Sequence, residues 1–172
     1  MTLLVLYQLL YPLVALAALA RVAGAGRWGA FREGKADLAE RLGRPDWSSK
    51  AKPVWVHAAS VGEMTGADAL RHALHGRSLF ITSSTVAGRK AAGDITQGAA
   101  SLAPMDLLPC VRRFLDATKP RALIIMETEL WPATLAACAE RGIPFGVANA
   151  RLTERSFPRY RLIRPLLGPL LL

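Results

Sequence analysis

Apolar and polar residues alternate in blocks along this chain, and the block lengths change in a regular way. The first block, Leu3–Ala20, holds no charge and is interrupted by Tyr7, Gln8, Tyr11 and Pro12. As a helix it would be about 27 Å long, the lower edge of a membrane span. A polar, basic segment of helical character follows over Arg27–Arg44, then a linker of turn formers over Arg44–Pro53. Beyond it, short apolar runs alternate with longer amphipathic ones. Val54–Ala59, Ser78–Ser83, Ala99–Pro104, Arg121–Met126 and Phe145–Ala148 read as strands, with RALIIM at 121–126 the clearest buried one. Met64–His75, Thr85–Ala92, Asp106–Thr118, Trp131–Arg141 and the chain from Leu152 onward read as helices. Over Asp106–Thr118, for instance, Leu107, Leu108, Val111, Phe114 and Leu115 recur at helical spacing.

Strands alternating with helices predict an α/β fold, an open parallel sheet with helices on both faces. Ligands of such sheets sit at the carboxyl ends of the strands. That rule selects the loops Ser60–Glu63, Ser83–Gly88, Glu127–Trp131 and Asn149–Arg151. Glu63 at a strand end is placed to take a proton from a substrate hydroxyl, and Gly62 would let a substrate approach the backbone. Ser60-Val-Gly-Glu63 equally matches a capping box, with Glu63 reaching back to the Ser60 amide. Glu127 and Glu129 follow the most buried strand. In an extended segment both would face the crevice, and proximity would raise one of their pKa values. Helix capping by Thr128 is the structural alternative. Arg151 offers a bidentate fork for phosphate or carboxylate, or is an ordinary surface arginine. The Ser83–Gly88 loop suits an anion at a helix start but lacks the P-loop lysine. His57, inside an apolar strand, reads as a core histidine. His72 and His75 lack a third ligand, so no metal is expected.

Charge narrows the partners. The 172 residues carry a formal net charge of +9, which by itself suggests nucleic acid. The excess lies in two flanks, +4 over 21–52 and +4 over 151–172, while 53–150 is nearly neutral at +1. No stretch interleaves cations with aromatics as a single-strand binder does, and nucleic acid is not expected as a partner. Basic residues follow the apolar block rather than precede it, so the positive-inside rule puts the remainder on the cytoplasmic side. A helix that only docks on the bilayer is the alternative to a span. Hydrophobic residues make up 52%, enough for a core, which excludes a disordered chain. Cys110 and Cys138 have no metal-like spacing and fit a reduced compartment.

WVHAASVGE (55–63), RRFLD (112–116), METELWP (126–132), GIP (142–144) and NARLTERS (149–156), in that order, resemble the Kdo transferases of lipopolysaccharide synthesis. The resemblance implies a GT-B glycosyltransferase of two Rossmann-like domains, inverting and independent of metal or other cofactor. Such an enzyme moves 3-deoxy-D-manno-octulosonic acid from CMP-Kdo to a lipid A precursor at the cytoplasmic face of the inner membrane. It implies Glu63 as the base for the acceptor hydroxyl and Glu127 as a stabiliser of the transition state. Ser60, Gly62, Glu129 and Arg151 fall in the same motifs, as substrate-binding candidates. The Ser83–Gly88 loop differs from the family's threonine-rich one, and Ser101–Pro109 keeps only Pro104, Asp106 and Pro109 of a tyrosine-rich stretch. The expected organisation is an anchor helix (1–20), a basic juxtamembrane segment and linker (21–52) and an acceptor-side domain (53–172). The donor domain is expected to be absent, leaving the chain inactive alone. A non-catalytic membrane-surface module binding the lipid A precursor is the alternative.

Overall fold

A computed structural model describes residues 3–13, 35–47, 51–151, 153–154 and 157–171. Five strands form one sheet: β1 (Val54–His57), β2 (Leu79–Ser83), β3 (Ala100–Leu102), β4 (Ala122–Met126) and β5 (Phe145–Ala148). Their order is β3-β2-β1-β4-β5 and every neighbouring pair is parallel. The helices are α1 (3–13), α2 (Lys35–Arg41), α3 (Met64–Ala73), α4 (Val86–Thr96), α5 (Leu108–Thr118), α6 (Pro132–Glu140) and α7 (Phe157–Leu171), with a 3₁₀ turn at Val61–Glu63.

The sheet has a core on each face, as a parallel sheet requires. Successive side chains of a strand point to opposite faces. Trp55 therefore joins Phe80, Leu123 and Ile125 beneath Phe114 of α5 and Leu135 of α6. Val54 and Val56 join Ile81 beneath Met64 and Ala67 of α3 and Ala92 of α4. All residues of β1 and β2 are buried, which is why both read as unbroken apolar runs. The Trp55 and Phe114 ring centroids lie 4.6 Å apart in a tilted pair.

All five predicted strands are present; the helices differ at their ends. α4 runs on to Thr96 and stops where Gln97 turns left-handed, at φ 56°. α5 starts at Leu108, because Leu107 is extended and Pro109 occupies the first turn. Asp106 therefore lies in a loop and caps a different helix.

α1 reverses the usual amphipathic pattern. Leu4, Tyr7, Gln8 and Tyr11, at i, i+3, i+4 and i+7, are its half-buried side. Three of these are the residues that interrupt the apolar run. Tyr7 Oη donates to Asp106 Oδ2 at 2.8 Å, Gln8 Nε2 donates to the Asp106 carbonyl at 3.1 Å, and Gln8 Oε1 accepts from Leu108 N at 2.7 Å. Leu3, Val5, Leu6, Leu9, Leu10 and Leu13 face outward, Leu9 being 68% exposed. Among the described residues no helix is long and apolar enough to cross a membrane. The rest of the expected anchor and most of the basic segment after it lie outside the described residues.

Candidate functional site

The strand order reverses at β1. The chain runs β1, β2, β3 to one side and then returns to lay β4 against the other side of β1. The crevice at such a switch point opens between the carboxyl ends of β1 and β4. Glu63 follows β1, and Glu127 and Glu129 follow β4.

Glu63 is held by its own turn. Its Oε2 accepts from Ala59 N at 2.8 Å and its Oε1 accepts from Ser60 Oγ at 3.0 Å. The capping box predicted here is thus altered. Glu63 reaches the amide before Ser60, and the Ser60 hydroxyl serves the carboxylate rather than a backbone amide. A 3₁₀ turn, tighter than an α-helical one, accounts for the shifted partners. Gly62 is exposed, and a Cβ added there would meet nothing nearer than Ser60 Oγ at 3.7 Å, so the protein itself leaves that approach open.

At the end of β4 the chain does not stay extended. Glu127 has φ 57°, in the left-handed region, while its amide donates to Ala148 O at 2.8 Å. Asn149, directly after β5, is left-handed too, at φ 54°. Such conformations cost about 1 kcal/mol or more for residues other than glycine, and they gather at functional sites. The i, i+2 geometry expected of Glu127 and Glu129 is therefore replaced by a turn, which still brings their carboxyls together. Glu129 is held above its ordinary carboxyl pKa by burial first, then by the charges of Glu63 and Glu127. The raised acid of the cluster is Glu129. Arg151 Nε lies 3.6 Å from Glu127 Oε1 in a largely exposed pair. Thr128, the expected cap, instead donates its hydroxyl to Arg151 O at 2.7 Å, and Tyr160 Oη of α7 donates to Thr128 O at 2.7 Å. The loops after β4 and β5 are thereby tied together.

The cap of α6 comes from elsewhere. Trp131 makes no side-chain cap bond. Asp106, 2% exposed, accepts from Ala133 N (2.9 Å), Thr134 N (2.8 Å) and Thr134 Oγ1 (2.8 Å), besides Tyr7. Burial raises its pKa, and the four donors work against that. The sequence pattern predicts Asp106 at the head of its own helix. Only its sparing in an otherwise altered stretch marked it.

Polar groups of the Ser83–Gly88 loop are engaged within the protein. Thr85 Oγ1 caps α4 through Gly88 N at 3.0 Å, and Ser83 Oγ donates to Ala59 O at 3.0 Å. The Ser83–Gly88 loop thus braces the β1 turn, with two of its hydroxyls engaged. His57 is buried as expected, and burial drives its pKa down to about 4. Its Nδ1 lies 3.0 Å from Thr82 Oγ1, which also accepts from Trp55 Nε1, and its Nε2 has no partner among the described residues. Cys110 and Cys138 are free and buried, the Cys138 thiol being pushed up to about 12 by burial.

Residues 36–172 match the family described as 3-deoxy-D-manno-octulosonic-acid transferase (kdotransferase). The chain belongs to the Kdo transferase family. It is similar to the 3-deoxy-D-manno-octulosonic acid transferase of Bordetella pertussis, 37% identical over 80% of this chain and 33% of the relative. It is similar to that of Haemophilus influenzae, 36% identical over 74% of this chain and 32% of the relative. A probable mitochondrial 3-deoxy-D-manno-octulosonic acid transferase of Arabidopsis thaliana is 37% identical over 76% of this chain and 30% of its own length. The chain thus spans about a third of the curated relatives it matches. Both carboxylate loops of the switch point lie within the region matched to the Kdo transferase family.

Proposed function

We propose that this chain is the acceptor-side part of an inverting Kdo transferase of GT-B architecture. It would act in lipopolysaccharide synthesis, moving Kdo from CMP-Kdo to a lipid A precursor without a metal or other cofactor. The observation that carries the reading is the pair of carboxylate loops flanking the switch point of the sheet, with Glu63 on one and Glu127 and Glu129 on the other. Glu63 takes the proton of the acceptor hydroxyl as that oxygen bonds to the anomeric carbon of Kdo. The bond from that carbon to the phosphate oxygen of CMP breaks on the opposite side, and CMP leaves with the electron pair. The Ala59 amide and the Ser60 hydroxyl fix the Glu63 carboxylate for that transfer. Glu127, hinged at a left-handed residue and paired with Arg151, stabilises the charge developing on the sugar, and Glu129 and Arg151 hold substrate. The CMP-Kdo site is assigned mostly to the part of the family that this chain does not span.

The leucine face of α1 lies in the headgroup boundary of the inner membrane, at its cytoplasmic face, where the acceptor resides. The six outward apolar side chains support this. The test mixes the chain with CMP-Kdo and lipid A precursor, with and without the remaining part of a relative. Turnover only in the mixture is expected, and Glu63→Gln should abolish it. Turnover by the bare chain would refute the division of labour, and activity surviving Glu63→Gln would leave Glu63 a structural cap.

One observation favours a second reading, a non-catalytic module that binds the precursor: both Glu63 oxygens already serve the β1 turn. That module would bind precursor vesicles equally well with Glu63→Gln and would give no turnover in the mixture.

A further inference from the structure

At the opposite end of the sheet, three segments enclose an open cleft of about 440 Å³. They are the linker before β1, the turn between α3 and β2, and the start of β4. Lys52, His75, Arg77 and Arg121 line it, with Ser78 and Gly76, and no carboxylate does. Backbone bonds fasten the rim: Val54 N to Ser78 O at 2.8 Å and Arg121 N to Pro53 O at 2.9 Å. Arg121 Nε donates to Lys52 O at 2.9 Å, which fixes the guanidinium and leaves both Nη groups for a ligand.

The pairing of the other arginines makes this cleft distinctive. Between 53 and 150, Arg71, Arg89, Arg112 and Arg141 each hold a carboxylate, and Arg113 donates to the Leu42 carbonyl. Among the described arginines between 53 and 150, Arg77 and Arg121 are the two with neither terminal nitrogen bonded to a partner, and both line the same cleft. The nearby carboxyl end of α3 offers about half a negative charge against three full positive ones. A cleft lined by one sign of charge concentrates counter-ions. Two planar forks and a lysine match the oxygens of a phosphate group. The volume falls in the small-ligand range, and a Cβ added at Gly76 would meet nothing within 4 Å, so entry is open.

We infer that the cleft formed by Lys52, Arg77 and Arg121 is a binding site for a phosphate-bearing anion, separate from the carboxylate crevice. The phosphate is that of a free phosphate or of a lipid headgroup. The test titrates the full chain, at constant ionic strength set with chloride, with inorganic phosphate and separately with phosphatidylcholine vesicles containing or lacking phosphatidic acid. Circular dichroism checks the fold of each variant. Arg77→Gln combined with Arg121→Gln should weaken binding about tenfold or more. The pair Lys90→Gln and Arg113→Gln removes the same charge elsewhere and should weaken it less than about twofold. Phosphate binding with that dependence identifies a soluble ligand. Binding with that dependence only to phosphatidic acid vesicles identifies a lipid headgroup. Equal losses in the two double variants, unchanged binding in Arg77→Gln with Arg121→Gln, or no binding of either probe by the wild type overturns the inference.

Discussion

Asp106→Ala is the most informative single perturbation of this fold, because one buried carboxylate joins three parts of the chain. Its Oδ2 is shared by Tyr7 Oη of α1 and Ala133 N of α6, and its Oδ1 by Thr134 N and Thr134 Oγ1. Removing a helix cap costs about 1 kcal/mol. Leaving two hydroxyls without partners costs about 1–3 kcal/mol each when they stay dry. Part of this returns, since the variant no longer buries a charge whose pKa burial has raised. The net loss is about 3 kcal/mol, or roughly 6–12 °C in melting temperature for a domain of this size. Urea unfolding gives the first figure and a thermal melt the second. Tyr7→Phe should cost about 1 kcal/mol in the wild type and should recover about 1 kcal/mol or more beside Asp106→Ala, where the Tyr7 hydroxyl is stranded, an interaction energy of about 2 kcal/mol. Amide exchange at Ala133 and Thr134 should quicken in Asp106→Ala, loosening the segment that carries Glu127 and Glu129. A loss below about 1 kcal/mol, or a Tyr7→Phe cost equal in both backgrounds, would refute the junction.

Three further outcomes follow from buried or constrained groups. Burial depresses the His57 pKa from 6.5 to about 4, so the stability it contributes is present above pH 6.5 and is lost as pH falls toward 4, by about 3 kcal/mol. His57→Gln should flatten that slope in urea titrations at successive pH values. Asp106, with its raised pKa, runs the opposite way and is common to both curves. Arg89 joins Asp37 (2.6 Å) and Glu40 (3.1 Å), both acids being nearly buried, so Arg89→Ala should cost about 3–5 kcal/mol by urea unfolding. Gly43 has φ +83°, and a Cβ there would lie 2.0 Å from the Cys110 carbonyl oxygen. Gly43→Ala should therefore cost more than about 2 kcal/mol, seen as a lowered melting temperature.

The parts of the fold legible in sequence are those written in apolar periodicity. VWVH and LFITS are buried on both faces, so their runs of apolar and small residues announce a parallel sheet. The carboxyl-end rule then picks out Glu63, Glu127, Glu129 and Arg151 before any geometry is known. Periodicity carries no information about long-range polar bonds. Asp106 caps a helix that begins at Pro132, and Tyr7 reaches it from near the start of the chain. Neither partner is predictable from local spacing. The left-handed turn at Glu127 is equally hidden, because glutamate rarely adopts it and its neighbours read as a strand end.

The reversed amphipathicity of α1 gives the candidate site an orientation. A helix on a soluble protein buries its leucines; here Tyr7, Gln8 and Tyr11 face the domain beside Leu4, and the other leucines face out. The bonds that dock it run to Asp106 and Leu108, at the carboxyl-end rim of the sheet. Asp106 in turn holds the first amides of α6, directly after the loop of Glu127 and Glu129. If, as proposed, its leucine face lies in a bilayer, α1 would set the carboxyl ends of the strands beside that surface. On the proposed function, a lipid-borne hydroxyl would then reach Glu63 without its acyl chains leaving the membrane. The Lys52, Arg77 and Arg121 cleft lies at the other end of the same short strands, so the two sites are reached from different directions. Ligand occupying the cleft therefore leaves the crevice open, and on the proposed function Arg77→Gln with Arg121→Gln should not change precursor binding at the crevice.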